Sequence, residues 1–342
     1  MVFPAPDVPS STPVTVATAG EALMDLIQDA DGRLRPCDGG AVYNLTRALG
    51  LQGVGTLYLN PLSRDRFGRG LAQALVDAGV TLAHEEPVHE PTSLAVVSLD
   101  DAGKASYSFY REAVADRRVD AATMIAQCAA QPGLKAVATG CLALVPHDSH
   151  KYLPWLQAQR AAGRLVVVDA NLRPAIVPDM TAYRSSVMAA LGQADLIKVS
   201  DDDLHVLGFT QTDSLLAARE LLACTPARWL ALTLGPRGAV FMTRDGAAWS
   251  AAEVLPVSVA DTVGAGDCFL AGMLAALMHR PAMHSANRAD ALQLGAEDVE
   301  ALLAHAIASA SLCVQQVGCK PPSREQVLQR LAQGRPRCQS LT

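Results

Sequence analysis

Residues 261–278 read Asp261-Thr262-Val263-Gly264-Ala265-Gly266-Asp267 followed without interruption by CFLAGMLAALM. The second part is a helix pattern that is apolar all round, which predicts a buried helix over Cys268–Met278. Ala271, Gly272, Ala275 and Ala276 keep it thin enough for close packing. The first part places two glycines just where such a helix begins. A helix N-terminus carries unpaired backbone N–H groups and a partial positive charge, and Gly264 and Gly266 remove side chains from the approach to it. These are the makings of a phosphate or oxyanion site. Asp267 lies in the same turn. As a mere helix cap it is unremarkable. Beside an anion site it reads as a general base, taking a proton from a hydroxyl as that oxygen attacks a phosphoryl group.

Working outward, short Val/Leu/Ile runs alternate with helical patterns through most of the chain. Candidate strands are 14–19, 55–59, 136–139, 165–168, 196–199 and 229–234. Candidate helices are 41–48, 69–78, 180–191, 215–224, 268–278, 299–315 and 324–332. Continuous apolar strands separated by helices predict an α/β fold, a doubly wound, mostly parallel sheet with helices on both faces. Residues 21–36 and 92–111 differ, alternating polar and apolar positions. Thr92–Leu99 and Ala105–Tyr110 flank Asp100-Asp101-Ala102-Gly103, a hairpin turn, so these pieces predict a small accessory sheet. Prolines at 4, 6, 9 and 13 make residues 1–13 a loose tail. The folded unit is expected over 14–334, with 335–342 a loose C-terminal tail.

Composition narrows the function. A chain of 342 residues with net charge −6 lacks the basic face that nucleic acid requires. Its most apolar run, Phe269–Met278, is too short to span a bilayer, and the N-terminus has neither a basic start nor an apolar h-region. Eight cysteines without a C-x-x-C read as reduced core residues of a cytoplasmic protein. No G-x-x-x-x-G-K-[ST], no G-x-G-x-x-G after the first strand and no G-x-S-x-G occurs. His84 and His89 are five apart with Pro87 between them, which reads as a surface loop, as do His147 and His150.

Ligands of open α/β sheets bind beyond the carboxyl ends of the strands. There the sequence places Gly20, Glu21 and Asp25 after the first strand, and Asp169, Asn171 and Arg173 after 165–168. Ser200-Asp201-Asp202-Asp203 follows 196–199, where Ser200 and Asp203 also read as a capping box opening a helix. Gly235-Pro236-Arg237-Gly238 follows 229–234, as a hairpin turn or a close approach to a ligand.

The run DTVGAGDCFLAG resembles the C-terminal signature of the PfkB, or ribokinase-like, carbohydrate kinases. Gly39-Gly40-Ala41-Val42-Tyr43-Asn44 followed by Arg64-Asp65-Arg66-Phe67-Gly68 resembles the N-terminal signature. The likeness covers about residues 14–332. GEALMDLI at 20–27, SFYRE at 108–112, DANLRP at 169–174 and KVSDDDL at 198–204 are most similar to bacterial fructokinases and 2-keto-3-deoxygluconate kinases. The resemblance implies a ribokinase-like fold whose accessory strands form a lid. It implies Asp267 as catalytic base, and Gly264, Ala265 and Gly266 as the anion hole. Asp25, Gly39, Gly40 and Asn44 would contact the sugar, with Asn171, Arg173 and Arg111 as further substrate or phosphate contacts. Ser200, Thr233, Gly235 and Gly238 would line the nucleotide. The family's Asn-x-x-Glu motif, which positions metal and phosphate, stands here as Ser200 to Asp203, giving Asp203 an indirect role toward Mg2+. Asp261, with the Val263 carbonyl, matches a monovalent-cation site, implying K+. Ala41 replaces ribokinase's lysine, which speaks against ribose.

The expected activity is ATP- and Mg2+-dependent phosphorylation of a sugar hydroxymethyl group, fructose first. A 2-keto-3-deoxy sugar acid is the next substrate and a purine nucleoside the third. Sugar and ATP are the expected partners, with no nucleic acid, no membrane and a homodimer through the lid. Two other classes compete: a sugar-binding regulator without catalysis, against which Asp267 and its glycines speak, and a nicotinamide-dependent oxidoreductase, against which the missing glycine fingerprint speaks.

Overall fold

The structure, a computed structural model, describes residues 12–28, 31–99, 105–284 and 292–341. Ten strands form one sheet: β1 (Val16–Thr18), β4 (Thr56–Tyr58), β5 (Thr81–Leu82), β8 (Ala136–Gly140), β9 (Leu165–Asp169), β10 (Leu196–Ser200), β11 (Trp229–Thr233), β12 (Ala239–Thr243), β13 (Ala248–Ala252) and β14 (Arg337–Ser340). Their order is β14-β13-β12-β11-β10-β9-β8-β1-β4-β5. The half from β11 to β5 is parallel throughout, and β12, β13 and β14 are added antiparallel. Every residue of β8 and β9 is buried, which explains their unbroken apolar runs.

Helices cover both faces. Ala41–Leu51, Ala265–Met278 and Ala296–Cys313 pack on one, through Leu45, Leu49, Leu270, Leu274, Leu302 and Leu303. Ala121–Ala129, Ser149–Ala161, Met180–Leu191 and Ser214–Ala223 pack on the other, around Trp155, Tyr183 and Leu221. Helix Ala265–Met278 is buried along nearly its whole length, and a Cβ at Gly272 would lie 2.7 Å from the His305 carbonyl oxygen. The thinness read from its small residues is what lets helix Ala296–Cys313 approach. Among the described helices none is long and apolar enough to cross a membrane.

The accessory strands form a second sheet, β3 (Leu34–Gly39), β2 (Leu23–Gln28), β6 (Ser93–Leu99) and β7 (Ala105–Tyr110), in the order β3-β2-β6-β7. β2 pairs antiparallel with β3 and parallel with β6. The expected hairpin turn at 100–103 and residues 1–11 of the expected N-terminal tail lie outside the described residues. The loose C-terminal tail is corrected: Arg337–Ser340 is β14, zipped antiparallel to Trp249–Ala252 of β13. Its polar sequence hid it, because an edge strand facing solvent needs no apolar face.

Candidate active site

Between the small sheet and the carboxyl ends of the large one lies a cavity of about 360 Å³. Its floor is the turn Thr262–Gly264 with Gly266 and Asp267, its wall Asn171 and Arg173, and its roof Leu23, Asp25, Ile27 and Phe109. Gly40, Ala41 and Asn44 close the side where β3 hands over to helix Ala41–Leu51.

The turn is shaped by its own sequence. Gly264 is the helix N-cap in the left-handed region, φ 78°, where a side chain would be strained. A Cβ there would also collide with the Cys319 sulfur. The Asp261 carboxylate accepts from the Val263 amide at 3.0 Å and from the Gly318 amide at 2.9 Å, stapling the turn to the loop after helix Ala296–Cys313. The Ala265 amide donates to the Thr262 carbonyl at 3.2 Å. That corrects the three-residue anion hole: Ala265 closes the turn. At the start of the helix the amides of Gly264, Gly266 and Asp267 have no acceptor among the described residues, as has that of Thr262 in the turn before it.

Asp267 occupies the third helical position and is only 7% exposed. One carboxylate oxygen accepts from Asn44 Nδ2 at 2.9 Å, and the other stands 3.5 Å from Asn171 Nδ2. Burial pushes its carboxyl up to about 6, with the Asn44 hydrogen bond, Lys198 and Arg173 pulling the other way. Asn171 itself is left-handed, φ 36°, a conformation asparagine tolerates better than most residues. Its Oδ1 accepts from Arg173 Nη1 at 2.7 Å, so one amide bridges the arginine to the base.

Asp25 points from β2 into the cavity with no hydrogen bond to its carboxylate among the described residues. Burial raises it to about 6, opposed by Arg173. Gly39, paired with Leu23 in the β2–β3 ladder, lies diagonally across from it, where any side chain would run into the Asp25 carboxylate. Gly39 therefore makes room for Asp25 and does not line the cavity itself. Gly40, φ 104°, does line it, pressed against the Glu21 backbone.

Ser200 and Thr233 sit in register at the ends of β10 and β11. Gly235 follows with open space around its Cα, so this part of the rim is free for a ligand outside the cavity. Gly238 is different: a Cβ would strike the Ala251 carbonyl, so it is needed for β12 to pack. The capping box is present. Asp203 accepts from the Ser200 amide and hydroxyl, both 2.8 Å, and through its other oxygen from the Leu172 amide at 2.7 Å. Its carboxylate thus pins the 170–173 loop to helix Asp201–Leu207. Arg111 is corrected as well: it donates to Asp116 at 2.9 Å, buried behind the lid, and does not line the cavity.

Two further groups belong here: Lys198, which sequence reasoning misses, and Glu21, which it reads only as part of the polar rim after the first strand. Lys198, in the middle of buried β10, places Nζ 3.0 and 3.1 Å from the two oxygens of Asp169 on β9. A Cβ on Gly266 would be 2.9 Å from that Nζ, so the ion pair lies directly under the glycine turn. A lysine inside an otherwise apolar strand was the available signal. Glu21 lines the cavity at 1% exposure. Its Oε1 accepts from the Ala41 amide at 2.8 Å, and its buried Oε2 has no partner. Burial raises its carboxyl, opposed by Arg111.

A buried carboxylate at a glycine-flanked helix N-terminus, under a small β-sheet and beside an open rim, has the make-up of a phosphotransferase site on a doubly wound sheet. Residues 15–326 match the pfkB family carbohydrate kinases, and the chain belongs to that family. It is 30% identical over 270 residues to the fructokinase of Rhizobium leguminosarum bv. trifolii, covering 77% of this chain and 79% of that one. Among solved structures it resembles the fructokinase of Vibrio cholerae O395 in its fructose-, ADP- and calcium-bound form. There the identity is 27%, the TM-score 0.70, and the match covers 89% of this chain and 94% of that one. The ATP-bound fructokinase of Xylella fastidiosa shares the fold at 24% identity and a TM-score of 0.77, with 93% and 98% covered. The chain is therefore a carbohydrate kinase with the ribokinase-like fold.

Proposed function

We propose that the protein is a fructokinase, transferring the γ-phosphoryl group of ATP to a hydroxymethyl oxygen of fructose. The observation that carries the choice of substrate is the charge of the cavity. Glu21, Asp25 and Asp267 line it against the single arginine Arg173. Such a site suits a neutral polyol, whose hydroxyls can donate to these carboxyl groups, and repels the carboxylate of a sugar acid. Phe109 is the one aromatic in the lining, too little to sandwich a purine. The fructokinases among the relatives support the same reading.

In this reading the sugar hydroxyl lies against Asp267, which takes its proton as the oxygen attacks phosphorus. The free amides of Gly264, Gly266 and Asp267 receive the charge on the transferred group. Asn44 and Asn171 hold the carboxylate in place, and Ser200, Thr233 and Gly235 border the nucleotide. The chain's own residues fit a directly bound Mg2+ poorly, because both Asp203 oxygens already accept protein donors. The ion enters with ATP, as part of that substrate. For K+, the two Asp261 carboxylate oxygens and the Val263 carbonyl are the available oxygens, each already accepting one donor. No step depends on that ion. A second copy would dock on the lid edges, where Leu34 and Tyr110 are exposed. The reading places the enzyme in the cytoplasm.

ADP release measured with fructose, 2-keto-3-deoxygluconate and a purine nucleoside tests the proposal. Fructose should have the highest kcat/KM by at least tenfold; preference for the sugar acid would overturn the charge argument. The pH profile gives a second check. Asp267 must be ionised to act, so kcat/KM should fall about tenfold per unit below about pH 6. Asp25 titrates in the same range, so the Asn44→Ala variant assigns the limb. Removing the Asn44 donor should move it upward, and an unmoved limb would belong to another group.

A further inference from the structure

We propose that Cys268, Cys313 and Cys319 form a trithiol site that captures a trivalent, thiophilic centre such as arsenic(III), and that its occupation silences the kinase. The three sulfurs lie within 4.8 Å of one another and all three residues are buried. They converge from separate places: the first turn of helix Ala265–Met278, the last residue of helix Ala296–Cys313, and the loop beyond it. At the roughly 2.3 Å typical of bonds between sulfur and a soft ion, three sulfurs around one pyramidal centre stand roughly 3.5 Å apart, so a movement of about 1 Å brings them together.

Charge selects the ligand. Among the ionisable neighbours acting on the cluster from outside it are the carboxylates Asp261 and Asp267. Three thiolates on a monovalent or divalent cation would leave net negative charge in this buried, already negative setting. Zinc would in addition lack its usual fourth ligand. Arsenous acid avoids both problems. Three S–H groups replace its three hydroxyls, forming three As–S bonds and releasing three waters; the adduct is neutral and nothing is oxidised or reduced. Arsenous acid is small and uncharged.

The cluster backs directly onto the catalytic turn. Cys268 follows Asp267, Cys319 fills the space beneath Gly264, and the Cys313 thiol reaches the Val263 carbonyl at 3.6 Å. Binding takes that proton and draws the sulfurs together, so the turn must shift. The site itself does not rest on the sugar-kinase mechanism proposed above; the loss of turnover does.

The test uses the full chain and arsenite as the probe. Intact-mass analysis should show one arsenic gained and three hydrogens lost per chain, and arsenic X-ray absorption a shell of three sulfurs. Cys319→Ser and, as an independent variant, Cys268→Ser should each weaken binding at least tenfold and leave a two-sulfur shell. Cys224→Ser, at an exposed cysteine, should change nothing. Sugar-dependent ADP release should fall at least tenfold in step with the three-sulfur adduct. A two-sulfur shell in the unmodified chain, or binding untouched by both cluster variants, overturns the site. A three-sulfur adduct with undiminished turnover overturns its coupling to the catalytic turn.

Discussion

Asp267→Asn should lower kcat by about 10²–10⁴-fold, the usual contribution of a positioned general base, while making the protein more stable at pH 8. The two effects share one cause. Folding buries this carboxyl and raises it from 3.8 to about 6. The native state therefore holds the proton more tightly than the unfolded chain does, and ionisation opposes folding. That cost is absent below about pH 4, where both states are protonated, and is complete once the pH exceeds about 6. A displacement of about two units corresponds to roughly 3 kcal/mol. Asparagine keeps the shape without the charge. Its melting temperature should exceed that of the unmodified chain by about 2–5 °C at pH 8 and converge with it near pH 4. Scanning calorimetry at the two pH values measures both differences. Equal melting temperatures at pH 8 would mean that Asp267 is not held at a desolvation cost.

Lys198→Met should produce the largest loss of stability. The methionine fills the space, but Asp169 is left buried without its cation. Breaking such a pair by removing one partner costs about 3–5 kcal/mol. Even with lysine present, burial raises the Asp169 carboxyl to about 7. Without lysine it rises further, so the penalty is full at pH 8 and shrinks at pH 5, where the carboxyl is protonated. The double variant Lys198→Met/Asp169→Asn should recover most of the melting temperature. It should not recover kcat, expected to fall about 10²-fold, because Gly266 rests on the missing ammonium. Recovery of both would reduce the pair to a purely structural role.

What the sequence made legible is what is local. Helix Met180–Leu191 was read with its exact bounds, because Asp179 caps it and Gly192 ends it. The 261–278 run carried its turn, its helix and its burial within eighteen consecutive residues. The lid strands were visible because an antiparallel pair alternates along its own length. What stayed hidden depends on partners far along the chain. Lys198 meets Asp169 only because β10 and β9 pair in that register. Arg111 looked like a ligand contact until Asp116 was seen to take it. Asp203 could be read as a cap but not as the anchor of Leu172. The three cysteines come together only through the packing of two helices and the loop that follows.

The parallel pairing of β2 with β6 has a consequence for how this chain must be made. Between those neighbours the polypeptide leaves the small sheet, builds β4, β5 and two helices of the body, and only then returns. The roof over the cavity therefore cannot assemble as an independent hairpin module. Its closure waits on a long excursion, and non-local pairings of that kind are slow to nucleate. The Asn44–Asp267 bond, spanning 223 residues, waits longer still. During synthesis the site is thus among the last things to exist, and an N-terminal fragment ending between β7 and the turn Thr262–Gly264 would carry a roof with no floor beneath it.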